Sequence, residues 1–114
     1  MENKCIWSEG ELKSLFFCMM YMANIDGNVD SKEEKMILYY LENLEGDKPD
    51  NWKEFISSSN TIDPKDHMQT LKNMNDEKKK VTLVILGKLA EADGNWDDLE
   101  LGFWHIIKEG LKIE

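Results

Sequence analysis

The sequence predicts an all-α fold, a compact bundle of about six helices in a single domain over residues 1–114. Apolar residues recur at spacings of three and four along most of the chain, which is the period of an amphipathic helix. Residues that can cap a helix stand before several of these segments. No segment alternates between apolar and polar residues for long enough to predict a β-strand.

The first two helices are predicted to form a hairpin. Ser8 and Glu11 make a capping box, in which each side chain can bond the backbone amide of the other residue. The helix that follows is apolar on nearly all sides as far as Asn24, which is typical of a central, buried helix. A second helix follows Asp30, and Gly46 is a stop signal after it. The apolar stripe of this second helix is Ile37, Tyr40, Leu41 and Leu44.

The middle of the chain predicts two short helices. Pro49 suits the first turn of one of them. Asp63 and Pro64 suit the cap and the first residue of the next. The apolar residues expected to cover the core from these helices are Trp52, Phe55, Ile56, Met68, Leu71 and Met74.

The last two helices are predicted to form a second hairpin. Asn75 can cap a fifth helix, which starts with charged residues and is almost wholly apolar from 81 to 92, so that it should be a second central helix. Asp97 and Glu100 repeat the capping pair before a sixth helix. The predicted inward face of the sixth helix is Leu99, Phe103, Ile106, Ile107 and Leu111.

The charge balance limits the classes of partner. Acidic residues outnumber basic ones 23 to 14, a net charge of −9, which disfavours nucleic acid and anionic membranes and favours cations and basic protein surfaces. The longest apolar run, residues 15–23, is far shorter than the about 20 residues of a membrane span. Cys5 and Cys18 are too sparse for a disulfide framework, and the N-terminus opens no signal peptide. The sequence therefore predicts a cytoplasmic protein that neither inserts into membranes nor binds nucleic acid.

An internal repeat is the strongest signal in the chain. Residues 22–33 (MANIDGNVDSKE) align with residues 89–100 (LAEADGNWDDLE) at a shift of 67, with six identities in twelve positions. Gly27 and Gly94 can adopt a positive φ and turn the chain after a helix. The acidic residues of the two copies are Asp26, Asp30, Glu33, Asp93, Asp97 and Glu100.

These acidic positions have a structural interpretation and a functional one. Turns and helix caps account for all of them without a ligand. The alternative is a cation site, since Asp-Gly-x-aliphatic-Asp-x-x-Glu equals the second half of an EF-hand calcium loop. The first calcium ligand of such a loop would fall on Met22 and Leu89, which cannot bind calcium. A different site for a hard cation, Ca²⁺ or Mg²⁺, would form if the two hairpins pack about a pseudo-twofold axis and bring the six acidic residues together.

The repeated pattern Ala-x-x-Asp-Gly-x-φ-Asp-x-x-Glu, where φ is apolar, resembles the signature of TerB-like domains of tellurite-resistance proteins. The pattern covers residues 23–33 and 90–100, and the resemblance extends over about residues 9–45 and 76–112. It implies an all-helical, non-enzymatic module of stress responses and multi-protein assemblies, with metal binding suggested for the acidic residues named above. Trp96 departs from the pattern as a bulky residue at an aliphatic position, and residues 45–75 show no family pattern.

No residue set indicates catalysis or zinc binding. His67 and His105 are predicted to be surface or boundary histidines rather than metal ligands, and Lys78, Lys79 and Lys80 to form a solvated helix face. The predicted function is a non-catalytic, TerB-like stress-response or interaction module with protein partners and a divalent cation, Ca²⁺ or Mg²⁺, as its candidate ligand. The alternative is a divergent EF-hand-like calcium-binding protein.

Overall fold

The computed structural model describes residues 6–24, 31–44, 46, 48–91 and 98–111, with the side chains of residues 31–33 and 100 outside the description. Six α-helices lie within these ranges, and the one β-type pairing among them is an isolated parallel bridge between Trp7 and Gly46. The Cα radius of gyration is 13.5 Å, close to the about 13 Å expected of a compact domain of this length. The predicted all-α class is therefore confirmed. The helices are α1 (Glu9–Asn24), α2 (Ser31–Asn43), α3 (Trp52–Thr61), α4 (Pro64–Lys72), α5 (Asp76–Glu91) and α6 (Asp98–Leu111).

Helix α1 is the centre of the bundle, as its all-round apolar sequence predicts. It packs against α2, α3, α4 and α5. Since neighbours surround it, residues on several of its faces are buried. These are Leu12, Ser14, Leu15, Phe16, Cys18, Met19, Met22 and Ala23.

Helix α5 is the second central helix, and it matches α1 position by position. The shift that aligns the two acidic motifs also carries both ends of α1 onto the ends of α5, and each buried position of α5 falls on a buried position of α1. The two helices also start with equivalent caps, since Ser8 accepts from the backbone amide of Glu11 and Asn75 accepts from that of Lys78. The buried residues of α5 are Thr82, Leu83, Ile85, Leu86, Leu89 and Ala90.

Pro49 is not in a helix, which corrects the sequence prediction. Helix α3 begins at Trp52, and Asn51 caps it by accepting from the backbone amides of Lys53 and Glu54 at 3.0 and 3.3 Å. An asparagine oxygen satisfies free amide groups of the first turn, which a proline side chain cannot do. The predicted core cover from this helix is confirmed, because Phe55 is buried while Trp52 and Ile56 pack against the core.

Gly46 has a different role from the predicted stop signal. Helix α2 ends at Asn43, and the backbone of Gly46 instead pairs with that of Trp7. A Cβ atom at Gly46 would lie 2.1 Å from the carbonyl oxygen of Trp7. Close approach of two backbones therefore requires glycine here.

Helix α6 is rotated relative to its predicted inward face. Ile107 and Leu111 are buried as expected, but Leu99 and Ile106 are 60% and 67% exposed. The indole Nε1 of Trp104 donates to the carbonyl oxygen of Leu83 in α5 at 2.9 Å. This bond turns the Trp104 side of α6 towards α5 and leaves Leu99 and Ile106 at the surface.

Candidate functional site

The predicted acidic site lies mainly outside the residues that the structure describes. Four of the six acidic residues fall in the segments 25–30 and 92–97, namely Asp26, Asp30, Asp93 and Asp97. For the other two, the structure describes the helical backbone but not the side chain. Those two are Glu33 in the first turn of α2 and Glu100 in the first turn of α6. Among the described side chains, no three His, Cys, Asp or Glu residues come together in a way that could hold a metal ion. The shared cation site therefore stays a prediction.

The bounds of the helices nonetheless show which helices each acidic segment connects. The first segment joins the C-terminal end of α1 to the N-terminal end of α2, and the second joins α5 to α6. Both segments have the same length, because the start of α6 is displaced from the start of α2 by the same shift that relates α5 to α1. The two motif copies thus occupy equivalent links between helices.

The N-terminal ends of α1 and α5 meet at an ion pair. Nζ of Lys78 donates to Oε1 of Glu11 at 2.8 Å, and the same oxygen accepts from the backbone amide of Ser8 at 2.8 Å. The ammonium group also lies 5.9 Å from the ring centroid of the buried Trp7. The prediction that Lys78 lies on a solvated helix face is therefore wrong, because its side chain is only 12% exposed.

Glu11 should make stability depend on acid pH. Burial opposes its ionisation, but the bonds from Lys78 and Ser8 outweigh it and lower the pKa of the carboxyl group below its ordinary value. Its contribution is thus complete above the unfolded-state pKa and is lost as the pH falls through the folded-state pKa. We expect Glu11→Gln to lower the unfolding free energy at neutral pH by about 1 kcal/mol and to flatten its acid decline. Urea denaturation from pH 7 to pH 3 measures both effects.

The matched control for this variant is Glu9→Gln. Glu9 faces Lys13 at 4.0 Å with its side chain half exposed, so that its loss should change the unfolding free energy by less than about 0.5 kcal/mol. An equal flattening in both variants would contradict a special role for the Glu11 pair.

A serine–histidine pair lies in the core between α1 and α4. Nδ1 of His67 is 2.9 Å from Oγ of Ser14, and Nε2 is 3.0 Å from the carbonyl oxygen of Ser59. Since a carbonyl oxygen only accepts, the ring proton belongs on Nε2, and the Ser14 hydroxyl donates to Nδ1. The ring also stacks on Phe17, with centroids 4.6 Å apart. The prediction of a surface or boundary position is therefore wrong for His67, although His105 is exposed as expected.

The hydrogen bond between Ser14 and His67 is of the kind that joins a catalytic nucleophile to its general base, but a substrate could not reach these two side chains. Ser14 is 1% exposed and His67 is fully buried, so no substrate could reach either atom. The pair instead ties α1, α3 and α4 together. No sequence pattern indicated it, because the two residues are 53 positions apart and neither stands in a recognisable motif.

Cys18 is likewise a core residue, in agreement with its apolar surroundings in the sequence. Burial raises the pKa of its thiol to about 12. The thiol is therefore protonated at neutral pH and is neither a nucleophile nor a metal ligand in the folded chain.

An apolar surface covers the side of α6 that faces α1. We call it the α1–α6 surface and define it by Tyr21, Leu99, Phe103 and Ile106. The rings of Tyr21 and Phe103 stack with centroids 4.5 Å apart. Together with Asp98 and Gly102, the four residues line a shallow hollow of about 290 Å³. Because three of the four were predicted to point inward, the sequence did not indicate this surface.

None of the helices in the described ranges combines the length and the apolar composition that crossing a membrane requires.

Comparison with known proteins shows the fold and goes no further. No protein-family model matches the chain, and no curated protein matches its sequence. Among solved structures it is similar to the crystal structure of a protein of unknown function from Porphyromonas gingivalis, with a TM-score of 0.82 and 23% sequence identity. The alignment covers 100% of this chain and 86% of that protein. The chain therefore shares its complete helical arrangement with a natural bacterial protein.

Proposed function

We propose that this chain is a non-catalytic, TerB-like interaction module whose two acidic connections bind a divalent cation, Ca²⁺ or Mg²⁺. In this proposal two helical hairpins, α1–α2 and α5–α6, are related by a pseudo-twofold axis. Each hairpin supplies three carboxylates, Asp26, Asp30 and Glu33 from one and Asp93, Asp97 and Glu100 from the other. Oxygen ligands of this kind suit hard cations.

The observation that carries the proposal is the shared register of α1 and α5. Their ends, their caps and the six buried positions of α5 all follow the same shift that aligns the acidic motifs. A chance match of two short loops would not extend through the helices that precede them. The agreement supports two copies of one structural unit.

The ion pair between Glu11 and Lys78 supports the twofold relation. These residues are 67 positions apart, so they occupy the same place in the two units and nevertheless contact each other. Equivalent residues meet in this way only near an axis that relates the units. Helices α1 and α5 begin together at this ion pair and have 16 residues each, and in the chain each of them is followed by one of the acidic segments.

Two features of the core support a non-catalytic role. The Ser14–His67 pair is inaccessible, and the Cys18 thiol is buried and protonated. The Ser14 hydroxyl and the Cys18 thiol are thus parts of the packed core rather than candidate nucleophiles.

Isothermal titration with CaCl₂ and MgCl₂ tests the cation proposal. We expect a saturable heat and, at a hundredfold excess over the dissociation constant, a gain in unfolding free energy of about 2.7 kcal/mol. The double variant Asp26→Asn/Asp93→Asn should lose both effects, since it removes one carboxylate from each copy.

The control Asp50→Asn/Asp66→Asn removes the same charge from exposed positions outside the motif and should bind as the natural chain does. Absence of heat together with an unchanged melting temperature would refute cation binding. A large calcium-dependent rearrangement in the amide NMR spectrum would instead favour the EF-hand-like alternative, in which the helices of each hairpin reorient.

A further inference from the structure

We propose that the α1–α6 surface is the docking site for a basic amphipathic helix of a protein partner. The inference rests on the proposed function as an interaction module and assigns to it a surface and a class of partner. It does not depend on the cation, because no member of the surface is one of the six acidic residues proposed to bind it.

The spacing of the surface suits a helix as its ligand. Leu99, Phe103 and Ile106 follow one another at steps of four and three residues, which places them in a row along one side of α6. Tyr21 of α1 stacks on Phe103 and forms the opposite wall of the hollow. Beyond Tyr21, a second hollow of about 320 Å³ continues over Phe17 and Met20. An apolar helix face inserts side chains at the same steps into a groove of this kind.

Two acidic residues at the edge of this row of apolar side chains favour a basic partner. Asp98 and Glu109 are both exposed and 11 residues apart, about three turns, so they lie on the same edge of α6 at either end of the row. Neither forms an ion pair with any residue in the described part of the chain. Lys108 points elsewhere, with its Nζ 5.4 Å from the ring centroid of Trp104 on the side towards α5. A helix seated on the row would thus meet carboxylates at both ends.

A second copy of this chain is a poorer occupant than a basic helix. Each copy carries a net charge of −9, and a symmetric contact would bring Asp98 and Glu109 of both copies to the same rim. Like charges brought together in this way oppose association.

The test is selection from a displayed library of 18-residue amphipathic helices. The apolar face is fixed as leucine and the polar positions vary among Lys, Glu, Gln and Ser, with the labelled full chain as bait. We expect enrichment of lysine, and we expect Leu99→Ser/Ile106→Ser to weaken binding of an enriched peptide by at least about tenfold in fluorescence anisotropy. Asp98→Asn/Glu109→Gln should reduce the preference for lysine over glutamate.

The matched control is Val84→Ser on α5, which replaces an apolar side chain that is 55% exposed and lies outside the surface. It should change the affinity by less than about twofold. Enrichment of glutamate or of uncharged peptides, or equal losses in the control and the surface variants, would overturn the proposal. So would a dimer in sedimentation that Leu99→Ser/Ile106→Ser dissociates, since a second copy would then be the occupant. None of these variants replaces one of the six carboxylates proposed to bind the cation, so failure here and failure of cation binding are separate results.

Discussion

Replacing His67 with alanine should lower the free energy of unfolding by about 3–4 kcal/mol. The ring is fully buried and fills space between α1 and α4, so its removal leaves a cavity beside Phe17. The change also leaves the buried Ser14 hydroxyl without its partner and removes one of the two donors to the Ser59 carbonyl oxygen, which keeps the backbone amide of Ile62. Urea denaturation followed by circular dichroism measures the loss.

Two companion variants separate these causes. Ser14→Ala removes one hydrogen bond and little volume, and it should cost about 1–2 kcal/mol. His105→Ala changes an exposed histidine on α6 and should cost less than about 0.5 kcal/mol. A loss below about 1 kcal/mol for His67→Ala would show that the core does not depend on this network.

Replacing Gly46 with alanine should lower the free energy of unfolding by about 3 kcal/mol. The new Cβ would overlap the carbonyl oxygen of Trp7, and the contact is with backbone, which cannot rotate away as a side chain can. The segment before α1 would have to move, and Trp7 would leave a site where it is 1% exposed. We expect a red shift of tryptophan fluorescence in the native state together with a lower urea midpoint.

The same substitution at Gly102 is the control. A Cβ at Gly102 meets nothing within 4 Å, and the residue lies inside α6, where alanine is favoured over glycine. Gly102→Ala should therefore raise the unfolding free energy by about 0.5–1 kcal/mol. If both variants shift stability in the same direction, the proximity of the Trp7 backbone is not what limits position 46.

Local features of this fold could be predicted because neighbouring residues determine them. The capping box at Ser8 and Glu11, the Asn75 cap and the start of α4 at Pro64 each depend on residues within one helical turn. The apolar run of α1 likewise predicted its central position, since no other arrangement would bury it on several sides.

The features that could not be predicted depend on distant partners. Gly46 is constrained by Trp7, and His67 by Ser14, which no periodicity relates. The rotation of α6 follows from a hydrogen bond between Trp104 and a carbonyl oxygen of α5. A helical wheel drawn from the α6 sequence alone cannot predict this bond. The candidate cation site also depends on distant partners, because its six carboxylates belong to two separate connections and can meet only if the fold brings those connections together.

The ion pair between the N-terminal ends of α1 and α5 has a consequence for the origin of the chain. Under the proposed two-fold relation, Glu11 and Lys78 are one position in two copies of a hairpin. If two identical hairpins assembled as a symmetric homodimer, the residues at that position would carry the same charge and would repel each other. On this proposal, attraction at that position requires two fused halves whose sequences differ. An isolated first hairpin would consequently pair glutamate with glutamate, and self-association of that half should be opposed by the very residue that stabilises the fused protein.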